Sequence, residues 1–323
     1  MNLRICFALA SLAFSALAQA EGYETFNQSS LARFAALPGL GQGAVVPQNE
    51  SINSVTLDWT NEFFVRSTTL EELTLDGESE RLALRYRAGL APVFGHALEW
   101  SLEVPLLFTG GGVMDSGIES WHSIFGLPNA NRDDLPQDQY RIRYVRDGVT
   151  LLDLDKGSSG FADVRLGLGV ALSERWTLRG LVQLPTGDKK KLTGGHTGGG
   201  LWLDYSLPLT ESRRAALLLS GGVSAATTDG PLEDLQRPVV GLIGAVLIVP
   251  IYGPLDGVVQ INAHSKLYKD SALDPLSRIG APLAFGLRLP YKRLVFDLAV
   301  LEDPSVNASP DFGLLFGIKV KAY

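Results

Sequence analysis

Polar and apolar residues alternate with a period of two along most of this chain. In 163-DVRLGLGVAL-172 the residues Val164, Leu166, Leu168, Val170 and Leu172 share one face, opposite Asp163, Arg165, Gly167 and Gly169. In 97-ALEWSLEVPL-106 one face is Leu98, Trp100, Leu102, Val104 and Leu106, and the other carries Glu99, Ser101 and Glu103. The stretch 81-RLALRYRAGL-90 sets Leu82, Leu84, Tyr86, Ala88 and Leu90 against Arg81, Arg85 and Arg87. Successive side chains of an extended strand point to opposite sides, so this period marks strands with one apolar and one polar face. Weaker versions run at 52–63, 175–186, 198–208, 214–224, 239–250, 257–266, 281–290, 293–301 and 312–322. The count is about twelve strands, each near the roughly 9–11 residues that a tilted strand needs to cross a bilayer.

The connections alternate in length. Short ones fall near 91–95, 173–174, 209–213, 251–256 and 291–292, and long ones near 64–80, 107–160, 187–197, 225–238, 267–280 and 302–311. A soluble sandwich has no reason to sort its loops by side. An even-stranded outer-membrane barrel does, with short turns in the periplasm and long loops outside. The expectation is therefore an all-β, antiparallel, up-and-down transmembrane barrel over 52–323, with a soluble periplasmic β-protein as the competing reading. Trp176 and Tyr205 would then stand near the periplasmic boundary and Phe64 and Phe108 near the outer one, as interfacial girdles. Leu314, Phe316, Ile318, Val320 and Ala322 share a face of the last strand, which leaves the terminal Tyr323 on the other. Residues 21–51 show no period, and the sequence allows either a periplasmic segment or a plug inside the barrel.

Composition changes the picture first at the N-terminus. Arg4, the apolar run from Ile5 to Ala18 and the Ala18-Gln19-Ala20 triplet read as a cleaved secretory signal over 1–20. The only cysteine, Cys6, lies inside it, so the exported chain would hold no thiol and no disulfide. Removing the signal would move the net charge from −7 to −8, which offers no nucleic-acid footprint. No window approaches the roughly 18 apolar residues of a membrane helix. The nearest, 239-VVGLIGAVLIV-249, is bracketed by Pro238 and Pro250 and suits a strand.

Folding these strands puts many charges on the inner face. The acids there are Asp58, Glu62, Glu99, Glu103, Asp163, Asp204 and Asp297. The bases are Arg81, Arg85, Arg87, Arg165, Arg179, Arg288, Lys319 and Lys321. Bending the chain between 90 and 97 brings Arg87 close to Glu99, and opposite charges at that spacing attract. Near-equal numbers of acids and bases favour pairs that fill and hold the barrel. The functional alternative is a narrow polar channel with an arginine track for an anionic solute, lined by Arg81, Arg85, Arg87, Glu99, Glu103, Arg165, Arg179, Asp204, Arg288 and Lys319.

Other chemistry is weaker. A lipid hydrolase would need His and Ser on one face, and the neighbours His122-Ser123 and His264-Ser265 would diverge on a strand. His96, His122, His196 and His264 are scattered, which disfavours zinc. The acids Asp115, Glu119, Asp133, Asp134 and Asp138, and 153-DLDKG-157, could hold calcium; the latter lacks the later ligand positions of an EF-hand loop, and solvated loop charge is the better reading. The glycine runs 39-GLGQG-43 and 193-TGGHTGGG-200 stand between no strand and helix and lack the Gly-Lys-Ser/Thr of a phosphate loop. Lys189-Lys190-Lys191 is either a solvated loop tip or a contact for lipopolysaccharide phosphates. The chain thus reads as a non-enzyme without cofactor or metal.

The longest connection, 107–160, contains 110-GGGVMDSGIESWHSIFGLP-128, which has no obvious period, and Asp147-Gly148, which reads as a hairpin turn. A loop of this length is expected to have a small fold of its own above the membrane, or to turn inward and narrow the pore. Trp121, Ile124, Phe125 and Leu127 could pack its core, with Asp115, Glu119, His122 and Gly126 around them and His122 as a packing residue. Here the sequence also resembles a known family. The segments 75-LDGES-79, 111-GGVMDSGIESWHSIFGLPNANRDDLP-136, 143-RYVRDG-148, 160-GFADVRL-166 and 184-LPTGD-188 are similar to a proteobacterial envelope family catalogued as domain of unknown function 3187. That family has no assigned activity, so the resemblance implies envelope location and architecture and transfers no catalytic residue. The function expected is a narrow channel or binding protein for a small polar or anionic solute in the outer membrane. The alternative is a structural or surface-interaction barrel acting through its long loop. The expected partners are outer-membrane lipid, lipopolysaccharide and the barrel assembly machinery, with the barrel a monomer.

Overall fold

A computed structural model describes residues 20–126, 136–211, 214–304 and 308–322. Arg4, Cys6 and all but the last residue of the signal segment, together with Leu127, Asp133, Asp134 and Tyr323, lie outside the described residues. Twelve strands form the wall: β1 (Ser51–Ser67), β2 (Glu71–Val93), β3 (His96–Gly110), β7 (Val164–Ala171), β8 (Trp176–Leu184), β9 (Gly198–Pro208), β10 (Ala216–Ala226), β11 (Val239–Tyr252), β12 (Leu255–His264), β13 (Leu283–Tyr291), β14 (Leu294–Glu302) and β15 (Phe312–Ala322). Each pairs antiparallel with its neighbour in this series, and β15 closes on β1 from Ser51↔Ala322 to Asn61↔Phe312. Closure leaves no unpaired edge in the wall. The protein is a closed antiparallel barrel and not a sandwich.

The burial pattern runs opposite to that of a soluble protein. Ile243, Leu298 and Ile318 are 65%, 48% and 46% exposed on the outer face, whereas Asp58, Arg87 and Lys319 inside are 0%, 1% and 2% exposed. Apolar side chains outside and charges inside is the arrangement that a hydrocarbon surround favours. Aromatic residues gather at the short-turn end. The rings of Trp176 and Tyr205 stand 4.6 Å apart, and Phe94, Tyr252 and Tyr291 are exposed beside the turns.

The long-loop end departs from expectation in several ways. Residues 64–80 are not a long loop. β1 and β2 stay paired out to Ser67↔Glu72 and form a tall two-stranded extension. The local alternation fades at the base of this extension, where both faces are covered at 60–63 and 75–78, whereas Val65, Arg66, Ser67 and Glu72 nearer its tip are exposed. Phe64 consequently packs into the buried cluster at this end, not against lipid, whereas Phe108 remains exposed. β4 (Arg141–Arg146) adds to β2 and continues through the Asp147-Gly148 turn into β5 (Val149–Leu154), while β6 (Ser158–Phe161) pairs with the end of β3. Leu73, Leu75, Ile142, Tyr144 and Leu152 from this hairpin region meet Leu232, Leu235, Leu267 and Leu276 from two other loops in one apolar cluster that caps the mouth.

The segment expected to lack period is helical in part. Helix α1 (Asp115–Phe125) ends at Gly126, whose φ of 67° is the left-handed geometry that glycine accepts without strain, and whose N–H bonds to the His122 carbonyl. The helix neither narrows the pore nor stands free above the barrel. Met114, Ile118 and Trp121 lie against Trp59, Phe312, Leu314 and Val300, so it packs on the outer wall of β1, β14 and β15. Ile124, expected in a loop core, is exposed.

Candidate functional site

The lumen is filled by the chain's own residues 21–50, and contacts with the wall trace their path. At the short-turn end the Glu21 carboxylate accepts from Arg87 Nη1 at 3.0 Å and from Lys319 Nζ at 2.7 Å. Arg288 donates to the carbonyls of Glu21 and Gly22. From there the segment climbs along β12. The Gln260 amide accepts from Tyr23 N at 2.6 Å and donates to Tyr23 O at 3.3 Å, and Asn262 Nδ2 donates to Thr25 O at 3.0 Å. His264 Nδ1 is 2.9 Å from the Ser265 carbonyl, which can only accept, so the ring proton belongs on Nδ1. Nε2 is then free to accept from Asn27 Nδ2 at 2.7 Å.

Gln260, Asn262 and His264 alternate on the strand as Tyr23, Thr25 and Asn27 do on the plug. Their side chains therefore serve the climbing limb as a neighbouring backbone would serve a strand. At the top a short 3-10 turn, Ser30–Ala32, is held where Glu62 accepts from the Ser29 hydroxyl and from Ser30 N. Tyr268 donates its hydroxyl to Leu31 O at 2.7 Å, and burial pushes that phenol up, which keeps it a donor.

The descending limb returns to the same mouth. Ser224 donates to Ala35 O at 2.5 Å and Arg165 Nη1 to Leu37 O at 3.1 Å. Ser220 accepts from Gly41 N at 3.0 Å, Arg179 Nη2 donates to Gly43 O at 3.0 Å, and Glu99 accepts from Val46 N at 2.7 Å. Gln48 bridges to Gly89, where Pro47 comes so close that a Cβ would not fit. Phe26, Leu31, Phe34 and Leu37 of the plug join the apolar cap.

Between plug and wall the charges form three clusters. Arg81 bonds Glu103 and lies 3.7 Å from Asp58, with Arg165 3.8 Å from Glu103. Arg87 reaches Glu99 at 3.0 Å, Glu99 also takes Arg179, and Arg179 Nε meets Asp204 at 2.9 Å. Arg288 grips Asp297 at 2.7 and 2.9 Å, with Lys319 3.7 Å from the same carboxylate. Arg85 stands apart, donating to Gln42 Oε1 at 2.9 Å. All ten residues expected to line the lumen are thus on the inner face, and nine of them are held in ion pairs. Sequence reasoning missed Glu21 and the Gln260-Asn262-His264 ladder. The available signal was a polar alternation inside a strand whose other face is Val259, Ile261 and Ala263.

The outer-loop residues do not join this site. Asp115 accepts from Asn61 Nδ2 at 3.1 Å and from Asp138 N at 2.6 Å, and Glu119 takes both bonds from Gln137 Nε2 at 3.0 Å. Trp121 donates Nε1 to Glu302 at 3.0 Å and tilts against Phe312, while His122 is buried. Phe125 and Gly126 close the helix. Ser120 stands two residues before His122, and positions two apart on a helix do not face each other. At the long-loop end His196 Nδ1 is 2.6 Å from Asp229, which also takes Lys189 at 2.5 Å. Among the described residues no three His, Cys, Asp or Glu side chains gather in a geometry that could hold a metal ion.

Comparison with known proteins accords with this architecture. The profile of a family described as Protein of unknown function (DUF3187) matches residues 3–322. The chain belongs to this family. No curated protein matches the DUF3187 chain. Among solved structures, an outer membrane channel from Pseudomonas putida F1 superposes with a TM-score of 0.58 at 12% identity, covering 90% of this chain and 98% of that one. A Pseudomonas aeruginosa FadL homologue matches at a TM-score of 0.43 and 8% identity over 93% and 99% of the two chains. At such identities the first of these establishes for the DUF3187 chain the fold of an outer-membrane barrel.

Proposed function

We propose that this protein is an outer-membrane channel for small polar or anionic solutes, held shut by its residues 21–50. The observation that carries the reading is the lumen itself. A wall of charged and amide side chains is occupied by a segment that is joined to the barrel covalently only at Ser51, and otherwise by hydrogen bonds, ion pairs and the apolar cap. A purely structural barrel needs no polar ladder fitted to a separate strand; a shutter does. The bare apolar belt supports insertion in a membrane. The similar Pseudomonas putida barrel is an outer membrane channel, and that coarse activity is extended here to this chain. The outer helix does not favour the surface-interaction alternative, because its apolar stripe is spent on the barrel's own wall.

Conductance in planar bilayers tests the proposal. The intact chain should open rarely. A chain lacking residues 21–48, and a Gln260→Ala/Asn262→Ala double variant that weakens the climbing limb, should conduct far more often. A folded variant of either kind, shown by faster gel migration before boiling than after, that stays silent would overturn the channel and leave a structural barrel.

A further inference from the structure

Between the descending limb of the plug and β2, β3, β7, β8 and β9 lies a cavity of about 30 Å³ bordered by Arg85, Arg165, Arg179, Ser101, Gln42 and Trp202. Two of the residues that border it carry a buried donor with no hydrogen-bond partner among the described residues, Arg165 Nε and Trp202 Nε1. Their residues are 8% and 4% exposed, so bulk water does not compensate them. Buried donors of this kind are costly unless something accepts from them. The carboxylates at the cavity are already engaged. Glu99 serves Arg87, Arg179 and Val46 N, and Glu103 serves Arg81 with Arg165 only at 3.8 Å. Arg85 makes no ion pair among the described residues; its bond to Gln42 is its sole charge-neutral partner.

The lining thus holds three guanidinium groups, Arg85, Arg165 and Arg179, and two carboxylates, Glu99 and Glu103, of which Arg85 alone has no ion pair among the described residues. We infer that the cavity is a binding site for one compact inorganic anion, of halide or phosphate size. The anion accepts from Arg165 Nε and the Trp202 indole N–H, with Arg85 supplying charge from the half-exposed side. Guanidinium and indole N–H groups are donors only, so the two unpartnered groups call for an acceptor. The small volume excludes sugars and aromatic acids. The site deepens the channel reading by giving its solute a charge and a size, and it rests on that reading for its role.

Binding can be measured without an open pore. Crystals of the full chain grown in phosphate-free buffer and soaked in bromide should give an anomalous peak within hydrogen-bond distance of Trp202 Nε1 and Arg165. Inorganic phosphate added to the soak displaces the peak if the site takes oxyanions and leaves it if the site prefers halides; either result keeps the anion site. Arg85→Gln and Trp202→Phe, which remove a charge and an N–H while keeping the packing, should each weaken the preferred anion about tenfold in titration calorimetry. Ordered water in place of the peak, or unchanged affinity in both folded variants, would overturn the site. A barrel that binds bromide here yet never conducts would sink the channel and leave the site standing. A conducting barrel without the peak would do the reverse.

Discussion

Glu99 shows how much one side chain can carry inside this barrel. It joins Arg87 and Arg179 on the wall to Val46 of the plug while only 2% exposed. Removing it leaves two buried guanidinium groups short of a partner, a loss of about 3–5 kcal/mol when a buried pair is broken from one side. Glu99→Ala should therefore lower the urea midpoint of the barrel in lipid vesicles well beyond the effect of Glu119→Ala in the outer loop. The pairing of Arg87 with Glu99 was legible in the sequence, because both lie on the inner face close to one short turn. The partner Glu21 was not, since nothing in an aperiodic segment says which wall it will meet.

His196 offers a second test at this scale, outside the membrane-spanning strands. Burial pushes its imidazole below the usual value of 6.5, with the Asp229 hydrogen bond opposing the shift. Asp163 and Lys189 are the other charged groups near it, and the edge of Phe34 covers the ring. A base whose folded pKa is lowered favours the folded state fully above its unfolded pKa, and that contribution falls as the pH drops below it. The loop at 227–237 should thus be cut faster by a protease as the pH falls from about 6.5 toward 5. His196→Gln should flatten that dependence.

At the scale of elements, strands were readable and the helix was concealed. Strand alternation survives because each wall strand has one face in apolar surroundings and one in polar. Helix α1 does carry a stripe, at Met114, Ile118 and Trp121. Glycine and serine between these positions weaken its period, and a long outer loop gives no reason to expect a wall to pack against. The base of the β1–β2 extension was hidden for a related reason, since cover on both faces at 60–63 and 75–78 erases a period of two. Trp121→Ala removes the ring that meets Phe312 and the bond to Glu302. It should leave the barrel folded, with its gel mobility shift intact, while proteolysis between 111 and 140 accelerates. Loss of the barrel itself would mean that the helix is part of the fold's foundation.

For the whole molecule, the inversion of burial fixes the surroundings that the fold requires. Leu298 lies near the middle of β14 and faces outward. An arginine at the midplane of such a strand costs roughly 2–4 kcal/mol, falling toward the interfaces. Leu298→Arg should accordingly depress stability in vesicles far more than Tyr291→Arg beside a short turn. Equal effects at the two positions would argue against a membrane belt. The barrel, its strand number and the sides of its loops could be read from alternation and loop length. The filling of the lumen could not, because a plug borrows its order from the strand beside it.

That plug begins and ends at one mouth. Its first residues meet Arg87 and Lys319, its turn lies under the opposite cap, and its last residues meet Gly89 next to the start of β1. Such a path is a bight and not a thread. Residues 21–50 enter and leave by the same rim, so their removal would leave every wall strand paired. Had the same thirty or so residues crossed the lumen once and left by the far side, withdrawing them would have required pulling a chain end through the pore.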